Sequence, residues 1–170
     1  LQHEDLFNGF VAGYDAINDA AIAKGINSDI SANGHGTKVA GLIGAEADND
    51  VGFCGMAGKY PLELIPVRVI GEDGKGKIAD VVRGIYWAID NGADILNMSF
   101  GANMSYYPTA LANAIRDARR QNVFSICAGG NDTGYNSSTT YSGFYPADLQ
   151  DAYPVLAGYY MSADIQSFSY

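Results

Sequence analysis

Two polar side chains in glycine-rich settings could carry out proton transfer and oxyanion binding. His35 lies between two glycines in the stretch NGHGTKVAGLIGA (33–45), immediately before an apolar helical pattern. The glycines leave its ring uncrowded, and an accessible imidazole with a tunable pKa suits a general base. Asn131 follows AGG (128–130), and its amide could donate a hydrogen bond to a developing oxyanion. Taken singly, His35 would more often be a structural or exposed histidine and Asn131 a turn residue. Their functional interpretation therefore depends on the other residues of the pattern.

Two further stretches only partly match known motifs. GEDGKGKI (71–78) has the glycine and lysine spacing of a phosphate loop, but Ile78 stands where a Ser or Thr would bind magnesium. Ser99 in NMSFG (97–101) lacks the first glycine of a nucleophile elbow, whose histidine must also follow the serine, whereas both histidines here precede it. We therefore do not expect Ser99 to be a nucleophile. For 71–78, a small α/β nucleotide-binding module, an exposed turn and a segment that pairs with an extended peptide all stay open.

The elements that must position these side chains alternate between apolar strands and helices. Strand-like runs occupy residues 62–70, 94–99, 123–128 and 154–160. Helical patterns occupy residues 36–46, 79–91 and 108–120. The first has an apolar stripe of Val39, Leu42 and Ile43, and Gly92 suits the C-terminal end of the second. The stripe of the third consists of Leu111, Ala114, Ile115 and Ala118. This alternation predicts a parallel sheet covered by helices on both faces. Glycine-rich loops follow three of the strands, and the carboxyl ends of parallel strands are where ligands bind.

Composition favours one globular domain and excludes several partners. The chain has 170 residues, of which 48% are hydrophobic and 17% charged, which is typical of a packed core. A net charge of −9 argues against nucleic-acid binding. No apolar run reaches the roughly 18 residues of a membrane span, and no signal-peptide pattern opens the chain, as would also hold for a mature secreted domain. Two cysteines are too few for a disulfide scaffold and leave the compartment open.

Taken together, these motifs resemble the subtilisin-like serine proteases. HGTKVAGLIGA resembles the histidine motif of that family, apart from a lysine where a second, non-catalytic histidine is usual. The other matching stretches, in the family's order, are HEDL (3–6), RVIGEDGKGK (68–77), GADILNMSFG (92–101), AGGN (128–131) and QSFSY (166–170). The resemblance covers nearly the whole chain and implies an α/β fold: a three-layer, doubly wound, mostly parallel sheet with helices on both faces, here incomplete.

The resemblance also implies roles for particular residues. His35 would be the general base, and Asn131 would donate to the oxyanion. Phe144 precedes a Tyr-Pro pair that resembles the floor of the primary pocket, and it occupies a position that is often glycine, so the pocket would be shallow. The residues that would bind the polypeptide substrate through main chain and pocket walls are Gly74, Lys75, Gly76, Ser99, Phe100, Gly101, Ala128, Gly129, Gly130 and Phe144.

A structural calcium ion is a further implication of the resemblance. The segment AEADNDVGFCGMA (45–57) resembles the calcium-binding loop of many family members. Calcium prefers hard carboxylate, amide and carbonyl oxygens. The implied ligands are the side chains of Asp5 and Asn49 with the carbonyls of Ala47, Val51 and Phe53. The resemblance implies no organic cofactor.

Two elements of the family pattern are expected outside these residues. The catalytic aspartate should lie before Leu1, and the serine should lie after Tyr170. We therefore interpret residues 1–170 as one partial peptidase domain that does not cleave peptides alone, belongs to a serine endopeptidase and self-associates through exposed apolar surface. The resemblance also implies an extracellular or cell-surface location. A catalytically inactive relative that binds extended peptides is the alternative.

Overall fold

The computed structural model describes residues 4–6, 9–24, 29, 33–130 and 143–156. The chain forms two compact units, Leu1–Ala88 and Ile89–Tyr170, which are described separately. The elements, in chain order, are β1 (Gly13–Asp15), β2 (Ala20–Ile22), α1 (His35–Gly44), β3 (Val67–Arg68), α2 (Ile78–Asp90), β4 (Ile95–Met98), β5 (Ala102–Asn103), α3 (Thr109–Arg120), β6 (Phe124–Ala128), β7 (Phe144–Tyr145) and β8 (Tyr153–Val155).

The first unit is built on a small mixed sheet. β1 pairs with β2 in antiparallel and with β3 in parallel orientation. Gly13 is required at this point because an added Cβ would lie 2.6 Å from Pro66 Cγ. Trp87 on α2 stacks on Tyr14 of β1, with ring centroids 5.2 Å apart. A second cluster, formed by Leu6, Phe10 and Ala45 with Ala40 and Leu64 packed against it, lies beside α1.

Two expectations for this unit are wrong in detail. The predicted strand 62–70 is reduced to Val67–Arg68 and a single bridge between Leu64 and Phe10. Pro66 interrupts the run because proline has no N–H for a sheet hydrogen bond. The predicted apolar stripe of α1 also differs, since Leu42 is 63% exposed and Gly41 is the buried residue of this helix. Val39 and Ile43 of that stripe are half-buried.

The second unit contains the predicted parallel sheet. β6 pairs in parallel with β4 on one side and with β8 on the other. All four residues of the predicted apolar stripe of α3 are buried, and Ala112 is buried with them. β8 ends at Val155, so the remainder of the predicted strand 154–160 beyond Leu156 lies outside the described residues. Among the described residues, no helix has the length and apolarity needed to cross a membrane.

Candidate active site

His35 is the first residue of α1, and its side chain is exposed. The preceding Gly34 adopts a left-handed conformation with φ of 61°, and the His35 N–H donates to Asn33 Oδ1 at 3.1 Å. Asp29 Oδ2 accepts hydrogen bonds from Thr37 N at 2.8 Å and from Thr37 Oγ1 at 2.9 Å. This carboxylate supplies the hydrogen-bond acceptor for N–H groups that the first turn of a helix leaves unsatisfied. Polar contacts therefore hold the turn that carries His35.

Sequence reasoning missed the role of Asp29. A capping residue normally stands immediately before the first helical residue, where this chain has Gly34, which makes no side-chain cap. Asp29 reaches the first turn from eight residues before Thr37. The only local signal is an acidic residue shortly before a glycine-rich helix start, and many turns share that signal.

Gly74–Gly76, to which the family resemblance assigns substrate binding, form part of a tight turn. The Gly71 N–H donates to Lys75 O at 2.8 Å, and the Lys75 N–H donates to Asp73 Oδ1 at 3.1 Å. Gly74 has a φ of 72°, which favours glycine. At Gly76 an added Cβ would lie 2.6 Å from Ile70 Cδ1. The three predicted residues are exposed after β3, and the main chain of Lys75 is engaged within the turn.

In the second unit, most of the predicted pocket residues lie at the carboxyl ends of β4 and β6. Ser99–Gly101 follow β4, and Ala128–Gly130 end or follow β6, the adjacent parallel strand. The register pairs Met98 with Cys127, so the two segments leave the sheet side by side. Asn97 Nδ2 donates to Ser99 Oγ at 2.9 Å, which ties this hydroxyl to its own strand.

Phe144 lies between these two segments. An added Cβ at Gly101 would lie 2.5 Å from Phe144 Cε1, and one at Gly130 would lie 3.3 Å from Phe144 Cζ. The Phe144 N–H donates to Asp148 Oδ2 at 2.9 Å. Burial raises the pKa of Asp148, although N–H groups of Phe144 and Gly143 partly offset the effect. The ring is 8% exposed and occupies the space beside two residues that have no side chains.

The remaining predicted catalytic residue is not described. Asn131 lies outside the described residues, which stop at Gly130 and resume at Gly143. His35 and Gly74–Gly76 belong to the first unit, whereas the pocket segments and Phe144 belong to the second. Each set is therefore a local arrangement within its own unit.

The predicted calcium loop encloses the buried carboxylate of Asp5, which is 2% exposed. Asn49 Nδ2 donates to Asp5 Oδ1 at 3.0 Å, and the Phe53 N–H donates to Asp5 Oδ2 at 3.1 Å. Asn49 Oδ1 accepts from Val51 N at 3.1 Å. Left-handed residues alternate along the loop, with φ of 60° at Asp48, 57° at Asp50 and 57° at Gly52.

The loop contains two of the donor types that calcium prefers, the buried carboxylate of Asp5 and the side-chain amide of Asn49. In this structure both groups are hydrogen-bonded within the loop, the carboxylate to N–H groups and the amide oxygen to Val51 N. Within the described part of the chain, no cluster of three or more His, Cys, Asp or Glu side chains could hold a metal ion. A site here would therefore depend mainly on amide and carbonyl oxygens.

Comparison with known proteins defines the class. Residues 5–169 match the model of the Subtilase family, and the chain belongs to this family. It is 32% identical over 153 residues to the thermophilic serine proteinase of Bacillus sp. (strain AK1), covering 90% of this chain and 34% of that protein. It is 38% identical over 137 residues to subtilisin BL of Lederbergia lenta, covering 80% of this chain and 46% of that protein.

Solved structures agree with the fold assignment. The crystal structure of fervidolysin from Fervidobacterium pennivorans, a keratinolytic enzyme related to subtilisin, matches 99% of this chain with a TM-score of 0.79 at 28% identity. The match covers 25% of the fervidolysin chain. The fold is thus subtilisin-like α/β, and this chain spans 34–46% of the length of its first curated relatives.

Proposed function

We propose that residues 1–170 form the central part of a serine endopeptidase catalytic domain. The proposal rests mainly on one observation in a chain of the Subtilase family. An exposed histidine begins a helix, and hydrogen bonds to Asp29 and Asn33 hold the first turn of that helix. In this proposal the acid that orients His35 and the nucleophilic serine are supplied by residues outside the 170. The isolated chain should accordingly be inactive.

His35 would act as the proton carrier of the reaction. It accepts the proton of the attacking serine and returns it to the leaving amine of the cleaved peptide. Its exposure and its glycine neighbours allow both the serine and the peptide to approach the ring. The hydrogen bonds at Asn33 and Thr37 limit movement of the turn, and such positioning is what proton transfer requires.

Asn131 would stabilise the oxyanion through its side-chain amide. In subtilisin, the family member from which this magnitude is taken, removing the donor asparagine lowers turnover by about 10²–10³-fold. The support in this chain is the sequence position of Asn131, directly after Gly130 and three residues after the last residue of β6, Ala128.

The substrate would be an extended polypeptide. Gly101 is exposed and Gly130 half-buried, so both leave main chain accessible at the carboxyl ends of two parallel strands, whereas the N–H of buried Gly129 donates to Val155 O at 2.8 Å. Gly74–Gly76 would pair with the main chain of the substrate. Main-chain recognition would make affinity depend weakly on the sequence of the substrate.

Calcium would serve stability. A bound ion would neutralise the buried charge of Asp5 and hold Asn49 together with the carbonyls of Ala47, Val51 and Phe53. Because the ion would bind the folded loop and not the unfolded chain, its affinity adds to the free energy of unfolding.

The deciding experiment compares histidine variants of the intact protein that contains these residues. With a peptide p-nitroanilide as substrate, we expect His35→Ala to lower kcat by at least about 10⁴-fold, because loss of the histidine in subtilisin costs about 10⁶-fold. His3→Ala removes the other histidine of residues 1–170 and should leave kcat unchanged. Turnover by the isolated 170-residue chain that is lost on His35→Ala would contradict the proposal. An intact protein that binds peptides and does not cleave them would identify the inactive relative.

The isolated chain is also expected to associate. Large apolar side chains are exposed on the β4–β6–β8 sheet, where Ile95 is 63%, Phe124 49% and Val155 57% exposed. Exposed apolar patches of this kind favour self-association. Sedimentation velocity at rising concentration should show oligomers, and a monomer throughout would contradict the expectation. Fractionation of expressing cells tests the extracellular or cell-surface location that the family resemblance implies.

A further inference from the structure

Phe144 fills the side-chain groove between the glycine segments that end β4 and β6. We propose that this ring is a built-in pocket filler, and that the intact protein cleaves after small residues such as Ala, Gly or Ser rather than after aromatic or long ones. The inference rests on the proposed function, because it names the substrate preference of the same site. It concerns only residues of the second unit.

The contacts define a groove one side chain wide. Gly101 and Gly130 come from neighbouring parallel strands, so neither wall carries a side chain. A Cβ at Gly101 would lie 2.5 Å from Cε1 and 2.6 Å from Cζ of Phe144, closer than carbon atoms pack. A Cβ at Gly130 would lie 3.3–3.5 Å from three atoms of the same ring. The space that these glycines open is therefore taken by Phe144.

The backbone of Phe144 is fixed from both sides. β7 pairs antiparallel with β5, with Phe144 opposite Asn103, and the Met104 N–H donates to Gly143 O at 2.7 Å. On the other side, the Asp148 carboxylate accepts from the Phe144 N–H at 2.9 Å, and the Asp148 N–H donates to Phe144 O at 3.0 Å. A ring held in this way cannot leave the groove without breaking these bonds or changing its rotamer against buried neighbours.

The physical consequence is discrimination by size. A substrate side chain that enters this groove must fit into the space above the ring. A methyl or hydroxymethyl group needs no displacement of Phe144, whereas a benzyl group competes with it for the same volume. A difference of a single methylene in an apolar pocket changes kcat/KM by about 10–200-fold, so a whole ring should be discriminated by at least about 10-fold.

The test uses the intact protein and two peptide p-nitroanilides that differ only in the residue before the scissile bond, Ala or Phe. For the wild type we expect kcat/KM for the Ala substrate to exceed that for the Phe substrate by about 10-fold or more. Phe144→Gly should lower this ratio by about 10-fold or more, through faster cleavage of the Phe substrate. Phe144→Leu, which keeps most of the packing, should give an intermediate ratio even if the glycine variant does not fold.

The design separates the possible failures. Each ratio is measured in one preparation, so the active fraction cancels. Phe124→Leu makes the same chemical change at a ring that is 49% exposed in the same unit and should leave the ratio unchanged. Cleavage of the Phe substrate as fast as the Ala substrate by the wild type overturns this inference and leaves the proposed function standing. No cleavage of either substrate overturns the proposed function and this inference with it.

Discussion

Gly52→Ala tests whether the loop that encloses Asp5 contributes to the free energy of unfolding of the first unit. Gly52 has a φ of 57°, and an added Cβ would overlap Asp5 Oδ2 and lie 2.9 Å from Asp5 Cγ. The left-handed conformation costs a non-glycine residue about 1–2 kcal/mol. Moving the Asp5 carboxylate would also break its bonds from Phe53 N and Asn49 Nδ2. Unsatisfied buried groups cost about 1–3 kcal/mol, so we expect a total loss of about 2–5 kcal/mol.

Gly74→Ala, in the same unit, is the matched control for this change. Gly74 has a φ of 72°, and nothing lies within 4 Å of an added Cβ. Only the backbone cost of about 1–2 kcal/mol should apply there. The assay is urea unfolding of the 170-residue chain, followed by the fluorescence of Trp87, its single tryptophan. Because the isolated chain is expected to associate, wild type and variants are compared at the same protein concentrations, and the measurement is repeated at several of them. If both variants lose the same free energy of unfolding, the Asp5 argument is wrong.

Calcium provides a second arm of the same experiment. Unfolding is measured in EDTA and again with millimolar calcium. The wild type should gain free energy of unfolding with calcium because the ion binds only the folded loop, and Gly52→Ala should gain less. An unchanged midpoint for the wild type would refute calcium binding by this loop.

Three further predictions concern charge, reactivity and capping. Asp15 is held by Arg68 at 2.7 Å, and although burial raises its pKa, hydrogen bonds from Asn18 and Arg68 outweigh that effect and lower it. Asp15→Asn should therefore cost about 3 kcal/mol at neutral pH, and the difference from wild type should shrink as pH falls through the lowered pKa, where the wild-type carboxylate loses its charge. Burial raises the pKa of Cys127 to about 12, so iodoacetamide at pH 8 should label exposed Cys54 alone until the chain is unfolded. Asp29→Ala should lower the free energy of unfolding by about 0.5–2 kcal/mol through loss of the α1 cap.

Each of these predictions can fail in a distinct way. A pH-independent difference for Asp15→Asn would mean that the ion pair adds no stability. Rapid labelling of both thiols in the native chain, detected by mass spectrometry, would contradict the burial of Cys127. An Asp29→Ala variant as stable as wild type in urea would show that the first turn of α1 is held by other contacts.

The elements of the second unit were readable from short stretches of sequence. The stripe on α3 and the apolar runs of β4 and β6 repeat with helical or strand periodicity, and the structure confirms them. Gly92 was also informative, because it follows α2 with a left-handed φ of 80°. Such signals are local, since each depends on residues within a few positions of one another.

The strand and the buried helix face of the first unit were less predictable, because they depend on contacts beyond neighbouring residues. The run 62–70 has strand-like composition, but Pro66 removes a donor and only two residues join the sheet. Leu42 belongs to an apolar pattern and is nevertheless exposed, whereas the neighbouring Gly41 is buried. Periodicity shows that a face is apolar but not which neighbour will cover it.

The sequence by itself determined the candidate functional residues and the family. These are a glycine-flanked histidine before a helix, glycine segments after two strands, and a family pattern over residues 5–169. The tertiary structure decided which distant residues contact one another. Asp5 meets a loop residue 48 positions away, and Phe144 enters the groove beside Gly101. Local backbone preferences act between neighbours in the chain. Which side chain fills a groove, and which groups bond to a buried carboxylate, depend on the distant segments that close packing brings together.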